Sequence, residues 1–140
     1  MAVERTLFIV KPDATSRRLT GRILAHVEDR GFKLVEARYA RMTREQCNEF
    51  YQEHLGKPFF PDLVDYMTSG PVMICCLERE SAVATLREVI GATDPSQAAE
   101  GTIRKLYAES KGRNSVHASD SVASGEREVK LFFGVAALTH

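Results

Sequence analysis

The chain predicts an α+β fold, a βαββαβ unit in which a four-stranded antiparallel sheet carries helices on one face. Three observations predict it. Residues 5–10 and 72–77 are short, continuously apolar runs. Residues 34–42 alternate instead, with Val35, Ala37 and Tyr39 on one side and Glu36 and Arg38 on the other. Between these lie stretches of helical period. A length of 140 residues suits a single core, so residues 1–140 are expected to form one domain.

Each element has its own signal. Residues 5–10 read as a strand buried on both faces, ended by Pro12, which cannot donate to a ladder. Residues 19–30 place Ile23, Leu24 and Val27 on one helical face, and Gly31 follows as a stop. The alternation over 34–42 reads as a half-buried strand. Thr43 and Gln46 make a capping box for a helix whose stripe is Cys47, Phe50, Tyr51 and Leu55. Pro61 opens a short helix carrying Leu63, Val64 and Met67. After the turn Ser69-Gly70-Pro71 comes the second apolar strand, 72–77. Ser81 is placed to cap a helix with Ala82, Val83, Leu86, Val89 and Ile90 inside. Residues 91–114 read as a long loop with at most one helical turn, and such loops usually serve function. The last helix spans 121–133 with Val122, Val129, Phe132 and Phe133 as its apolar side, although Gly125 costs it about 1 kcal/mol relative to Ala. A fourth strand is expected at 115–117; without it the count is three.

Composition excludes several classes. The apolar fraction of 44% and charged fraction of 27% are those of a globular chain. Nineteen basic and nineteen acidic residues cancel, so no overall field draws the chain to nucleic acid or to an anionic membrane. The first residues lack the pattern of a secretory signal, and no apolar run reaches membrane-span length. The cysteines are Cys47, Cys75 and Cys76. Adjacent strand residues point to opposite faces, so Cys75 and Cys76 are poorly placed to pair. Reduced thiols in a cytoplasmic protein are expected.

The chemistry gathers around Asn114 to Ser121, N-S-V-H-A-S-D-S. A lone histidine is most simply surface or core packing, and His26, His54 and His140 are read so. His117 has different company. It stands at an expected strand end before a helix opened by Ser119, Asp120 and Ser121. A neutral imidazole is a nucleophile able to carry a phosphoryl group. An acidic partner would fix its tautomer. Glu128 can supply that from the following helix, while Asp120 and Ser119 can equally serve as helix caps.

Cations are spread along the chain: Lys11, Arg87, Arg104, Lys105, Lys111 and Arg113. Singly they read as solvated charges; together they can clamp a polyphosphate, Arg in bidentate fashion and Lys as a point charge. Thr93 can add a hydroxyl, and Phe59 a ring for a base to stack on. Neither glycine-rich phosphate-loop pattern nor protein-kinase motif is present.

At this point N-S-V-H-A-S-D-S closely resembles the active-site signature of nucleoside diphosphate kinases, written N-x-x-H-G-S-D-S. Six further stretches resemble the same family in order: E-R-T-L-F-I-V-K-P-D-A from Glu4, F-Y-Q-E-H from Phe50, K-P-F-F-P-D-L from Lys57, M-T-S-G-P-V from Met67, G-A-T-D-P from Gly91 and E-G-T-I-R from Glu100. The resemblance spans essentially the whole chain. It implies a ferredoxin-like α+β sandwich. It also implies ping-pong transfer of the terminal phosphate of a nucleoside triphosphate, mainly ATP, to a nucleoside diphosphate. His117 is then the nucleophile through Nδ1, oriented by Glu128 and Ser119. Lys11, Tyr51, Arg87, Thr93, Arg104 and Asn114 surround the phosphates and sugar, with Lys11 and Asn114 near the ribose hydroxyl, and Phe59 stacks on the base. The resemblance further implies Mg²⁺ carried on the nucleotide's phosphates and assembly into a homo-oligomer, tetramer or hexamer, without membrane or specific nucleic acid. Three departures stand out. Ala118 replaces the signature glycine, Lys111 stands where the family often has an aliphatic residue opposite the base, and the tail after Phe133 is short.

Overall fold

The computed structural model describes residues 3–138; His140, read above as filler, lies outside them. In chain order the elements are β1 (Val3–Val10), α1 (Pro12–Ser16), α2 (Thr20–Asp29), β2 (Lys33–Ala40), α3 (Arg44–Phe50) and α4 (Phe60–Met67). There follow β3 (Val72–Glu80), α5 (Ala82–Ile90), α6 (Ile103–Tyr107), β4 (Val116–Ala118) and α7 (Val122–Phe133). Short 3₁₀ turns occupy Gln52–His54, Pro95–Gln97 and Val135–Leu138. The strands form one sheet in the order β2-β3-β1-β4, antiparallel throughout.

Helices cover both faces of this sheet, where the sequence reading had put them on one. The reason lies in the two central strands, which are apolar at successive positions and so need cover on each side. Leu7, Ile9, Ile74 and Cys76 pack against Cys47 and Phe50 of α3, Met67 of α4 and Val129 and Phe132 of α7. On the reverse face Phe8, Val10, Cys75 and Leu77 pack against Ile23 and Val27 of α2, Leu86 and Ile90 of α5 and Ile103 of α6. Cys75 and Cys76 fall in different cores, as the strand alternation requires, and all three cysteines are free.

Other local readings change too. β2 is an edge strand with a register shift between Leu34 and Glu36, and the bulge breaks the strict alternation. It is not half-buried: Leu34, Ala37 and Tyr39 are exposed, and among the described residues it is Val35 that packs on the core. Leu55 and Val122 stand outside the core stripes assigned to them, being past the end of α3 and in the first turn of α7. Pro12 not only ends β1 but starts α1, where its missing N–H costs nothing. Residues 91–114 hold a 3₁₀ turn as well as α6.

The capping box at Thr43 forms in both directions, with Gln46 N–H donating to Thr43 Oγ1 at 3.1 Å and Thr43 N–H to Gln46 Oε1 at 3.0 Å. Ser81 precedes α5 but does not cap it. Its backbone is left-handed (φ 52°), and the Glu4 carboxylate of β1 accepts from Val83 N–H at 3.0 Å instead. A carboxylate at a helix start also answers the helix dipole.

Two glycines have opposite demands. Gly91 ends α5 at φ 86°, and a Cβ there would lie 2.6 Å from Thr102 Oγ1. Gly125 sits in the middle of α7 at ordinary φ; a Cβ would meet Thr6 Oγ1 at 3.4 Å and the Arg5 carbonyl at 3.6 Å, which is normal contact. Gly91→Ala should therefore lower unfolding free energy in urea by about 2 kcal/mol or more. Gly125→Ala should be neutral or raise it by up to about 1 kcal/mol. Equal signs for the two would refute this account.

Candidate active site

The site is built where β4 meets β1. His117 stands opposite Ile9 in the ladder and faces the α3 side of the sheet. The Phe50 ring lies edge-on to its imidazole, centroids 4.8 Å apart. His117 Nε2 lies 2.9 Å from Glu128 Oε1 of α7. Ser119 Oγ donates to the same oxygen at 2.6 Å and is fully buried. A carboxylate oxygen accepts, so Nε2 carries the proton and Nδ1 keeps its lone pair. Burial lowers the His117 pKa, and Lys11 and Arg104 add to that, outweighing the opposite pull of Glu128. The ring is thus neutral near pH 7.

Two arginines close in from the other side. Arg104 of α6 is buried. Its guanidinium donates to the carbonyls of Gly91 (3.1 Å) and Val116 (2.9 Å), and its Nε has no partner in the protein. Burial first, and Arg87 second, push Arg104 down to about 10, so it stays cationic. Arg87 of α5 reaches the Ala118 carbonyl at 3.4 Å. Together with Tyr51, Thr93, His117 and Glu128 these arginines line one cleft of about 270 Å³. Among the described residues the buried Tyr51 hydroxyl has no partner either. Free donors beside two guanidiniums suit an anion rich in acceptor oxygens.

Lys11 and Asn114 form a buried pair beside this cleft, Nζ to Oδ1 at 2.9 Å. The amide nitrogen of Asn114 donates to the Lys111 carbonyl at 3.1 Å, which fixes how the amide is turned. Burial pushes the Lys11 ammonium down to about 8, with Arg104 adding and Asp13 opposing. Phe59, about half exposed, lies on a separate groove of about 400 Å³ together with Leu63, Tyr66 and Arg113. Lys111 is exposed and does not line that groove. Ala118 lies in extended β4 opposite Phe8, and its φ is outside the left-handed region. Its methyl packs with the reverse-face core, on the side of β4 away from the imidazole, while Ala118 also lines the cleft and its carbonyl accepts from Arg87.

Of the residues expected from sequence, six line the main cleft, Lys11, Asn114 and Ser119 stand beside it, and Phe59 lies on the separate groove. Phe50, Glu53, His54, Ala118 and Asp120 also line the cleft. His54, read above as filler, stacks on Tyr51 with centroids 5.9 Å apart and stands edge-on to Phe59 at 5.3 Å. Its place within F-Y-Q-E-H was the available signal. His26 lies on α2, outside the cleft. Among the described residues, no three His, Cys, Asp or Glu side chains gather to hold a metal ion. No described helix is long and apolar enough to cross a membrane.

Comparison with known proteins identifies the family. The family model described as nucleoside diphosphate kinase matches residues 4–138. The nucleoside diphosphate kinase of Methylobacterium radiotolerans is 56% identical over 133 residues, 95% of each chain. That of Phenylobacterium zucineum is 55% identical over 130 residues, covering 93% of this chain and 94% of the relative. Among solved structures, the Aquifex aeolicus nucleoside diphosphate kinase superposes with TM-score 0.93 at 42% identity, covering 99% of this chain and all of the other. The Halobacterium salinarum nucleoside diphosphate kinase, solved in complex with CDP, gives TM-score 0.93 at 41% identity, over 99% of this chain and 93% of that one. With whole-length relatives at this identity, a family model matching residues 4–138 and the same overall fold, the chain belongs to the nucleoside diphosphate kinase family.

Proposed function

We propose that the chain moves the terminal phosphoryl group of a nucleoside triphosphate, mainly ATP, to a nucleoside diphosphate through a phosphohistidine on His117. The observation that carries this is the His117 Nε2–Glu128 bond at 2.9 Å, which leaves Nδ1 as the nucleophilic atom. Nδ1 attacks the terminal phosphorus, the N–P bond forms, and the P–O bond to the departing diphosphate breaks, its electron pair leaving on that oxygen. The ring becomes cationic, and Glu128, held by Ser119, stabilises it. A second diphosphate then enters and its terminal oxygen takes the group back.

Positioning and charge neutralisation supply most of the catalysis in such transfers. Arg87, Arg104, Thr93 and the Tyr51 hydroxyl face the phosphates from the cleft wall. Lys11 and Asn114 hold a ribose hydroxyl, and Phe59 stacks on the base with little selectivity, since every base offers a π-face. Mg²⁺ carried on the nucleotide's phosphates would neutralise their oxygens without a protein cage of its own. The chain acts as one domain over residues 1–140, a reading supported by the family match across 4–138. It works as a homo-oligomer, tetramer or hexamer; the eight-residue edge β2, with Leu34 and Tyr39 exposed, supports a covering copy. A cytoplasmic setting suits three free cysteines, and zero net charge suits neither a membrane nor nucleic acid.

Incubation with γ-labelled ATP and Mg²⁺ should give an acid-labile, alkali-stable phosphoprotein that passes its label to GDP and CDP. His117→Gln should take no label; an unlabelled parent chain would sink the proposal. Arg104→Ala should lower kcat/KM about a hundredfold or more, since one fixed donor to developing charge is lost. The fall should be alike for purine and pyrimidine nucleotides, and a change confined to base preference would contradict the phosphate assignment. The pH profile of kcat/KM reports the free enzyme. Activity should fall as acid protonates His117 below its ordinary value, and again as pH rises through about 8, where Lys11 loses its charge. Lys11→Arg should move the alkaline limb upward; an unmoved limb would assign it to another group.

A further inference from the structure

A buried carboxylate outside the cleft ties together the segments that carry the sugar and base residues. Asp13 is 3% exposed and takes four donors. Its Oδ1 accepts from the Tyr66 hydroxyl and from Ser115 N–H at 3.2 Å. Its Oδ2 accepts from Ser115 Oγ at 2.9 Å and from Arg17 at 3.1 Å. Arg17 in turn donates to the Tyr107 carbonyl at 2.6 Å, beyond which lies the 108–114 segment.

What Asp13 holds is a conformation that serine resists. Ser115 is fully buried at φ 72°, in the left-handed region that non-glycine residues avoid. Such a backbone persists only where its surroundings over-determine it. Here both Asp13 oxygens grip Ser115, and its carbonyl accepts from Lys11 N–H at 2.8 Å. The residue before Ser115 is Asn114 and the second after it is His117. The turn at Ser115 therefore sets the angle between the sugar-facing amide and the nucleophile's strand. Tyr66 lies on α4, the helix that begins next to Phe59, and the Arg113 guanidinium covers its ring at 5.4 Å.

We propose that Asp13 is a positioning residue for the ribose: by clamping Ser115 in the left-handed conformation it presents Lys11 and Asn114 as a pair to a sugar hydroxyl. The claim rests on the reading that Lys11 and Asn114 meet that hydroxyl. It predicts an effect on sugar discrimination that loss of general stability would not produce.

The test compares kcat/KM for ADP, 2′-deoxy-ADP and 3′-deoxy-ADP as acceptors. The parent chain should penalise one of the deoxy acceptors. Asp13→Asn puts an amide N–H against donors and should cut that penalty about tenfold, the factor of one mispaired charge-assisted hydrogen bond. Glycine adopts the left-handed region freely, so Asp13→Asn with Ser115→Gly should restore most of the lost discrimination. Should Asp13→Asn not fold, Tyr66→Phe removes a single donor and should reduce the same penalty to a lesser degree. A penalty that survives unchanged in the folded variants, with all three acceptors slowed alike, overturns the clamp and leaves the ribose reading intact. A parent chain that penalises neither deoxy acceptor overturns the ribose reading and the clamp with it.

Discussion

The three-residue pairing of β4 with β1 is the contact on which the site depends. Only Val116, His117 and Ala118 enter the ladder, opposite Val10, Ile9 and Phe8. So short a strand would be marginal alone. It is fastened at both ends. Lys11 N–H bonds the Ser115 carbonyl before it, and Ser119 N–H bonds the Leu7 carbonyl after it at 3.3 Å. Arg104 and Arg87 take the carbonyls of Val116 and Ala118. Those guanidiniums thus serve two ends: they satisfy acceptors of an edge strand and face the cleft where phosphates are proposed to bind. The sheet edge and the proposed anion site are one construction.

β1 makes that possible because it is buried on both sides. Its odd and even residues feed different cores, so it cannot shift register without exposing one whole set. The imidazole inherits this rigidity. It projects toward the α3 and α7 side, where Glu128 and the Phe50 ring fix its tautomer and tilt. The methyl of Ala118 projects to the other side, among Phe8 and Val116. Alternation along a strand thereby explains how the residue next to His117 differs from the family signature while its side chain packs away from the imidazole.

The electrostatics follow from the same enclosure. Desolvation lowers His117, Lys11 and Arg104 alike. Arg87, Arg104, Lys11 and His117 gather at a cleft that Glu128, Glu53 and Asp120 also line. Desolvated guanidiniums held there suit the acceptor oxygens of a polyanion. The imidazole yields first and stays neutral, which is the state a nucleophile needs.

Local sequence was enough for much of this. Periodicity located three strands and most of the helices, since it records the environment of consecutive residues; the fourth strand, Val116–Ala118, is too short to carry such a signal. The motif around His117, with the cations and Phe59, pointed to the proposed nucleophile's neighbourhood and to the family. Contacts between distant segments were not legible. Helices on both faces, the exposure of β2, the Glu4 carboxylate capping α5, His54 in the cleft and the Asp13 clamp across more than a hundred residues all depend on which surfaces the chain brings together. A residue's type fixes what it can bond, and its spacing fixes its near neighbours. Only the folded sheet decides which far segment supplies the partner.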